Sequence, residues 1–251
     1  METNPSPSPL AGRTAIVTGA SAGIGQATAR RLAAAGAQVV LAARRRDRLD
    51  QLAEEINAGT GGRALAVPTD VAEDARMEHL VREARAAFGP IDILINNAGY
   101  GAISPVMQLK MDQLDDIMRV NFRSAIFLSR LVLPDMFQKR AGAIINVGSV
   151  SSKRGWASGT PYVCSKFALR GFTQCLAQEV RHYGVRVIGV YPDFVASEFF
   201  AAGGKKLPAA HLAIPPDDVA AAILSALNMD PRTMVTEIDL APTSMNPVPM
   251  P

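Results

Sequence analysis

Tyr162 and Lys166 stand four positions apart in a stretch with helical patterning. Residues at i and i+4 share a helix face, so the phenol and the ammonium can enter one pocket. A neighbouring ammonium favours phenolate, which is expected to lower the Tyr162 pKa from its reference of about 10 and let it exchange a proton with a substrate oxygen nearer neutral pH. Ser149 lies thirteen positions before Tyr162. Its hydroxyl can hold the same oxygen as charge develops there. Such a set can protonate a carbonyl that receives hydride, or take the proton from an alcohol in the reverse direction, and no metal is called for. Asn121 interrupts a long helical stretch nearby. Singly, these residues carry little information, because a Tyr beside a snorkelling Lys is common on helices and a lone Ser or Asn reads as local backbone chemistry. The ordered set is what is specific.

A second group of residues points to an anion. Thr18-Gly19-Ala20-Ser21-Ala22-Gly23-Ile24-Gly25 follows an apolar run and opens a helical pattern. Glycines there let the backbone turn sharply and approach a pyrophosphate, which the free N–H groups of a helix N-terminus favour. The spacing is Gly-x3-Gly-x-Gly rather than G-x-G-x-x-G, so the cluster alone is a weak signal. At the end of the next apolar run, where an acid would select a free ribose hydroxyl, the chain reads Ala43-Arg44-Arg45-Arg46. Two of these guanidiniums, Arg44 and Arg45, can clamp a 2′-phosphate, so NADP(H) is favoured and NAD(H) stays open. A solvated basic turn is the plainer alternative.

The elements that must position these residues alternate in type. Seven strands are predicted at Thr14–Val17, Gln38–Ala42, Arg63–Val67, Ile91–Ile95, Ala143–Val147, Val185–Val190 and Val235–Leu240. Helices are predicted near Gly23–Ala35, Arg46–Ala58, Ala75–Phe88, Met111–Gln138, Thr160–Tyr183 and Pro216–Leu227, with Gly36, Gly59, Gly89 and Gly184 as terminators. Strand, helix, strand in repetition implies a mostly parallel sheet, and the nearly continuous apolar strands imply helices on both faces. Asn97-Ala98-Gly99, Ser149 and the Tyr162 helix then all fall at or beyond C-terminal strand ends, where open α/β sheets bind ligands.

Composition narrows the class further. The 251 residues are 48% hydrophobic and 20% charged, which argues against disorder, collagen and coiled coil. Cys164 and Cys175 sit eleven residues apart within one predicted helix, so a disulfide scaffold is not expected and a cytoplasmic setting is. Lys and Arg exceed Asp and Glu by only three, so the basic pI is weak evidence for nucleic acid. No run approaches a spanning length and no export segment is expected at the N-terminus. One domain over 11–243 is expected, with a flexible leader at 1–10, a less regular substrate loop at about 197–216 and a tail at 244–251.

Taken in order from Thr18-Gly19 to Tyr162 and Lys166, over about residues 12–197, these motifs resemble the short-chain dehydrogenase/reductase family. The resemblance implies a single-domain Rossmann fold, a doubly wound seven-stranded parallel sheet with helices on both faces. Within it, Gly19, Ser21, Gly23, Ile24 and Gly25 match the glycine motif, Asp70 and Val71 the adenine-side contact, and Asn97, Ala98 and Gly99 the motif bordering the cofactor. Ser149, Tyr162 and Lys166 match the family's catalytic triad, with Lys166 also holding the nicotinamide ribose, and Asn121 matches the residue that supports a proton-relay water. Pro192, Val195 and Ser197 match the segment contacting the carboxamide. Asp193 departs from the usual glycine, and Ala22 stands where many NADP-preferring members carry a basic residue. Homodimers or homotetramers through the two long helices are also implied.

The substrate is expected to be a small carbonyl or alcohol. Tyr100, Ile103, Trp156, Phe194, Phe199 and Phe200 lie on loops that should border the pocket, while Lys153, Arg154, Lys205 and Lys206 could approach an acidic substrate or an acyl-carrier partner. The segment Glu237-Ile238-Asp239-Leu240-Ala241-Pro242-Thr243 looks more like the branch acting on 3-hydroxy acids and small alcohols. A 3-oxoacyl-[acyl-carrier-protein] reductase is the alternative, and a catalytically silent NADPH-binding regulator is the alternative of a different class.

Overall fold

A computed structural model describes residues 9–59, 62–199 and 213–243. The strands are β1 (Thr14–Thr18), β2 (Gln38–Ala43), β3 (Arg63–Pro68), β4 (Ile93–Asn96), β5 (Gly142–Val147), β6 (Val185–Pro192) and β7 (Glu237–Leu240). They form one parallel sheet in the order β3-β2-β1-β4-β5-β6-β7. The chain reverses its winding direction between β1 and β4. That switch point opens a crevice at the carboxyl ends of these two strands, where the glycine loop and Asn97-Ala98-Gly99 both emerge.

The helices are α1 (Gly23–Ala34), α2 (Arg46–Ala58), α3 (Asp74–Phe88), α4 (Met111–Met118), α5 (Ser124–Lys139), α6 (Thr160–Val180) and α7 (Pro216–Leu227). They cover the two faces separately because successive strand side chains point in opposite directions. Val39, Ile145 and Ile188 bury against Leu32, Leu49 and Ile223 on one face. Their neighbours Val40, Ile144 and Val187 bury against Met77, Leu80, Val132 and Leu176 on the other. The apolar runs are thus one residue type serving two cores. Leu10, in the stretch expected as a leader, is buried and its N–H donates to Ala35 O.

The expected helix Met111–Gln138 breaks up. It resolves into α4, a π-helical turn at Arg119–Arg123 and α5. Asn121 sits in that turn, and its side chain is held by groups outside the helix, which favours the local widening. Similarly, α6 ends at Val180 and continues as a 3₁₀ turn, Arg181–Tyr183, before Gly184 turns out at φ 76°. Much of the expected loop at 197–216 lies outside the described residues. No helix among the described residues is long and apolar enough to cross a membrane.

Candidate active site

The glycine loop is held from below by β4. Thr18 Oγ1 accepts from the N–H groups of Asn97 and Ala98 at 2.9 and 3.0 Å, and Asn97 Nδ2 donates to Thr18 O at 2.9 Å. A Cβ on Gly25 would come within 2.4 Å of Gly19 O, so only glycine lets α1 start this close to the loop. Gly19 and Gly23 turn at φ 66° and 57°. The α1 N-terminus has no side-chain cap and no acid in its first turn, so its N–H groups and positive dipole end are left to an anion. Ser21 and Ile24 flank it, which fits the pyrophosphate of a dinucleotide.

Four elements bring the catalytic set together at the carboxyl edge. Ser149 follows β5 and caps the 3₁₀ turn Val150–Ser152, its Oγ accepting from Ser151 N at 3.1 Å. The same hydroxyl is hydrogen-bonded to Tyr162 from α6. Lys166, one turn on, is buried and donates to Val147 O at 3.0 Å, with its Nζ 5.8 Å from the Tyr162 ring centroid. Asn121 grips the chain end of β4, donating to Tyr100 O at 2.9 Å, accepting from Tyr100 N at 3.0 Å and donating to Ser165 Oγ at 3.0 Å. Gly99 makes room for this, since a Cβ there would lie 3.0 Å from Asn121 Oδ1 and 3.6 Å from Lys166 Nζ.

The protonation states correct one expectation. Desolvation pushes the Tyr162 hydroxyl up to about 12, outweighing the lowering by its hydrogen bond to Ser149. Burial also pulls Lys166 down to about 8. The ammonium was expected to depress the phenol, but it is turned to a backbone carbonyl rather than to the Tyr162 oxygen, and burial dominates both groups. Tyr162 is accordingly an intact O–H donor.

The arginines divide in an unforeseen way. Arg45 donates through Nε and Nη2 to Ser21 Oγ at 3.2 and 2.9 Å, linking the end of β2 to the glycine loop. Its Nη1 meets Glu198 at 2.8 Å, and Arg48 binds the same carboxylate. Arg44 is exposed and makes no ion pair among the described residues. Neither Arg48 nor Glu198 was singled out in sequence, although Arg48 lies one helical turn past Arg45. Asp70 Oδ1 accepts from Ala72 N at 2.9 Å ahead of α3, beside buried Val71.

Beyond β6, Pro192 ends the strand, Val195 bridges Ile214, and Ser197 packs against Gly23. Asp193, the departure from glycine, receives Arg154 Nη2 at 3.1 Å. Lys153 is likewise engaged, by Glu237 at 2.6 Å and Asp239 at 2.7 Å. The two cations expected to face an acidic partner therefore neutralise the protein's own carboxylates. Lys205, Lys206 and Phe200 lie outside the described residues. Phe199 does border the site: its ring centroid is 5.6 Å from that of Tyr162, against Gly101. Trp156 is partly exposed and donates to Ser151 Oγ at 3.1 Å. A cavity of about 710 Å³ lies between α1 and α2, away from Tyr162.

Comparison with known proteins agrees with this geometry. The short chain dehydrogenase family matches residues 13–207. An uncharacterized oxidoreductase of Staphylococcus aureus (strain USA300) is 33% identical over 233 residues, 93% of this chain and 98% of that protein. Among solved structures, an alcohol dehydrogenase from the archaeon Thermococcus sibiricus complexed with 5-hydroxy-NADP superposes with a TM-score of 0.86 at 28% identity, covering 94% of this chain and 98% of that one. The closed form of a serine dehydrogenase complexed with NADP+ gives a TM-score of 0.84 at 27% identity, again over 94% and 98% of the two chains.

Proposed function

The chain belongs to the short-chain dehydrogenase family, and on that premise we propose that it is an NADP(H)-dependent oxidoreductase interconverting a carbonyl and a secondary alcohol. The observation that carries this reading is the hydrogen-bonded pair of Ser149 and Tyr162, with Lys166 beneath it, at the carboxyl edge of the sheet. When bound, the nicotinamide supplies or accepts the hydride. Tyr162 holds its proton firmly and donates it to the carbonyl oxygen, while the Ser149 hydroxyl holds that oxygen as negative charge grows on it. Lys166 places a cation behind the phenol and stabilises the negative charge that builds there as the proton leaves. The Asn121 side chain is committed to Tyr100 and Ser165, so its part is to hold the turn that borders the site.

Cofactor choice follows from Ser21, Arg44 and Arg45, which present a hydroxyl and two cations where an acid would select NAD. Both structural relatives described above were solved with NADP or an analogue. For substrate, the chain acts on small alcohols and 3-hydroxy acids. Serine is itself a 3-hydroxy acid, the Phe199 ring supplies an apolar wall beside Tyr162, and the pairing of Lys153 and Arg154 leaves less to attract an acyl-carrier protein. A coupled screen of aldehydes, ketones, 3-hydroxy acids and 3-oxoacyl thioesters with NADPH and NADH tests the reading. Turnover of 3-hydroxy acids or small carbonyls with NADP(H) is expected; preference for the thioesters, or for NADH, overturns the respective part, and cofactor binding without any turnover favours a silent regulator.

A further inference from the structure

An anion, the Glu198 carboxylate, is already present among the arginines. Glu198 Oε2 lies 2.8 Å from Arg45 Nη1 and 2.8 Å from Arg48 Nη1, and its Oε1 lies 2.9 Å from Arg48 Nη1. The other edge of the Arg45 guanidinium is on Ser21 Oγ in the glycine loop. One carboxylate thus takes the shared face of two guanidiniums next to a loop hydroxyl, the donor set that suits a phosphate monoester. The segment carrying it crosses the mouth of the loop, since Ser197 Cβ lies 3.1 Å from where a side chain on Gly23 would begin. Nearby acids are otherwise occupied: Glu55 pairs with Arg30, and Asp217 with Arg31.

We propose that Glu198 is a specificity-determining residue that competes, as an internal anion, with the ribose 2′-phosphate for Arg45 and Arg48. This rests on the NADP(H) reading above and deepens it. A single carboxylate leaves two guanidiniums with an excess positive charge, whereas a phosphate dianion balances them. A 2′-phosphorylated ligand therefore displaces Glu198, and a ligand without that phosphate leaves the ion pairs in place. Glu198 lowers the preference for NADP(H) below what its arginines alone would set.

Titration calorimetry of the full chain with adenosine 2′,5′-bisphosphate and with 5′-AMP tests this without needing a substrate. Glu198→Gln should tighten the bisphosphate about three- to tenfold, the range for releasing two partly exposed ion pairs, and leave 5′-AMP unchanged. The substitution is at an exposed side chain, so the fold should be retained, which a thermal melt verifies. Glu55→Gln, which removes the same charge nearby, should change neither ligand. Weaker or unchanged bisphosphate binding in Glu198→Gln, equal tightening of both ligands, or the same tightening in Glu55→Gln would overturn the proposal. The NADP(H) reading fails separately: wild type would then show no preference for the bisphosphate over 5′-AMP, and Arg45→Ala would leave that ratio unaltered.

Discussion

Lys166 Nζ lies 5.8 Å from the centroid of the Tyr162 ring, yet its hydrogen bond goes to Val147 O, the last carbonyl of β5. The ammonium is therefore anchored to the sheet and held behind the phenol rather than on its oxygen. This keeps Tyr162 in its protonated form and tied to Ser149, a ground state suited to giving up a proton only when a substrate oxygen begins to gain charge.

Tyr162→Phe removes the proton and little else. Turnover should fall by about two to four orders of magnitude, the usual worth of a positioned general acid, while the NADPH dissociation constant stays within about twofold. Steady-state kinetics together with a fluorescence titration separate the two effects, and turnover within tenfold of wild type would remove Tyr162 from the mechanism.

Burial of Lys166 makes stability depend on pH. Its folded pKa is depressed by burial to about 8 from the ordinary lysine value of about 10.5, so between those limits the unfolded chain holds a proton that the native chain has released. Stability then rises with pH across that window and is lost as pH falls through about 8, by at most roughly 3 kcal/mol. Tyr162 acts oppositely only above its unfolded value of about 10. Urea unfolding between pH 7.5 and 9.5 should show the rise in the wild type, and Lys166→Met should flatten it.

Gly25→Ala tests the loop. The added Cβ would stand 2.4 Å from Gly19 O and 2.5 Å from Asn97 Nδ2, and the first of these is backbone that cannot swing away. A loss of about 1–3 kcal/mol in unfolding free energy is expected, with NADPH affinity falling further than stability explains because the loop itself shifts. A variant that binds NADPH normally would show that the close approach is dispensable.

Arg154→Ala leaves Asp193 without the guanidinium that faces it at 3.1 Å. If the segment after Pro192 borders the nicotinamide, an uncompensated carboxylate there favours the oxidised, positively charged ring. The ratio of NADPH to NADP+ dissociation constants should rise about two- to fivefold, and adding Asp193→Gly should return it to the wild-type value. Equal changes for both cofactors would place Asp193 away from the ring.

Much of the architecture was legible because its causes are local. Alternating apolar runs and helical periods located all seven strands, and α2 and α7 begin and end where the pattern said, at Arg46–Ala58 and Pro216–Leu227. The interruption near Asn121 was also visible, as a polar residue in an apolar helix. Its nature as a π-helical turn was not, because it depends on partners at Tyr100 and Ser165, 21 and 44 positions away.

By itself, then, the sequence determined the order of elements, the glycine loop at a strand end and the grouping of Ser149, Tyr162 and Lys166 at one edge, since hydrophobic period and backbone freedom act between near neighbours. Only the tertiary structure decided the electrostatics. Arg45 and Arg48 meet Glu198 across 153 and 150 positions, and the Tyr162 proton is held by desolvation on burial. Charge pairing and burial depend on distance in space, and that is set only when the whole chain has packed.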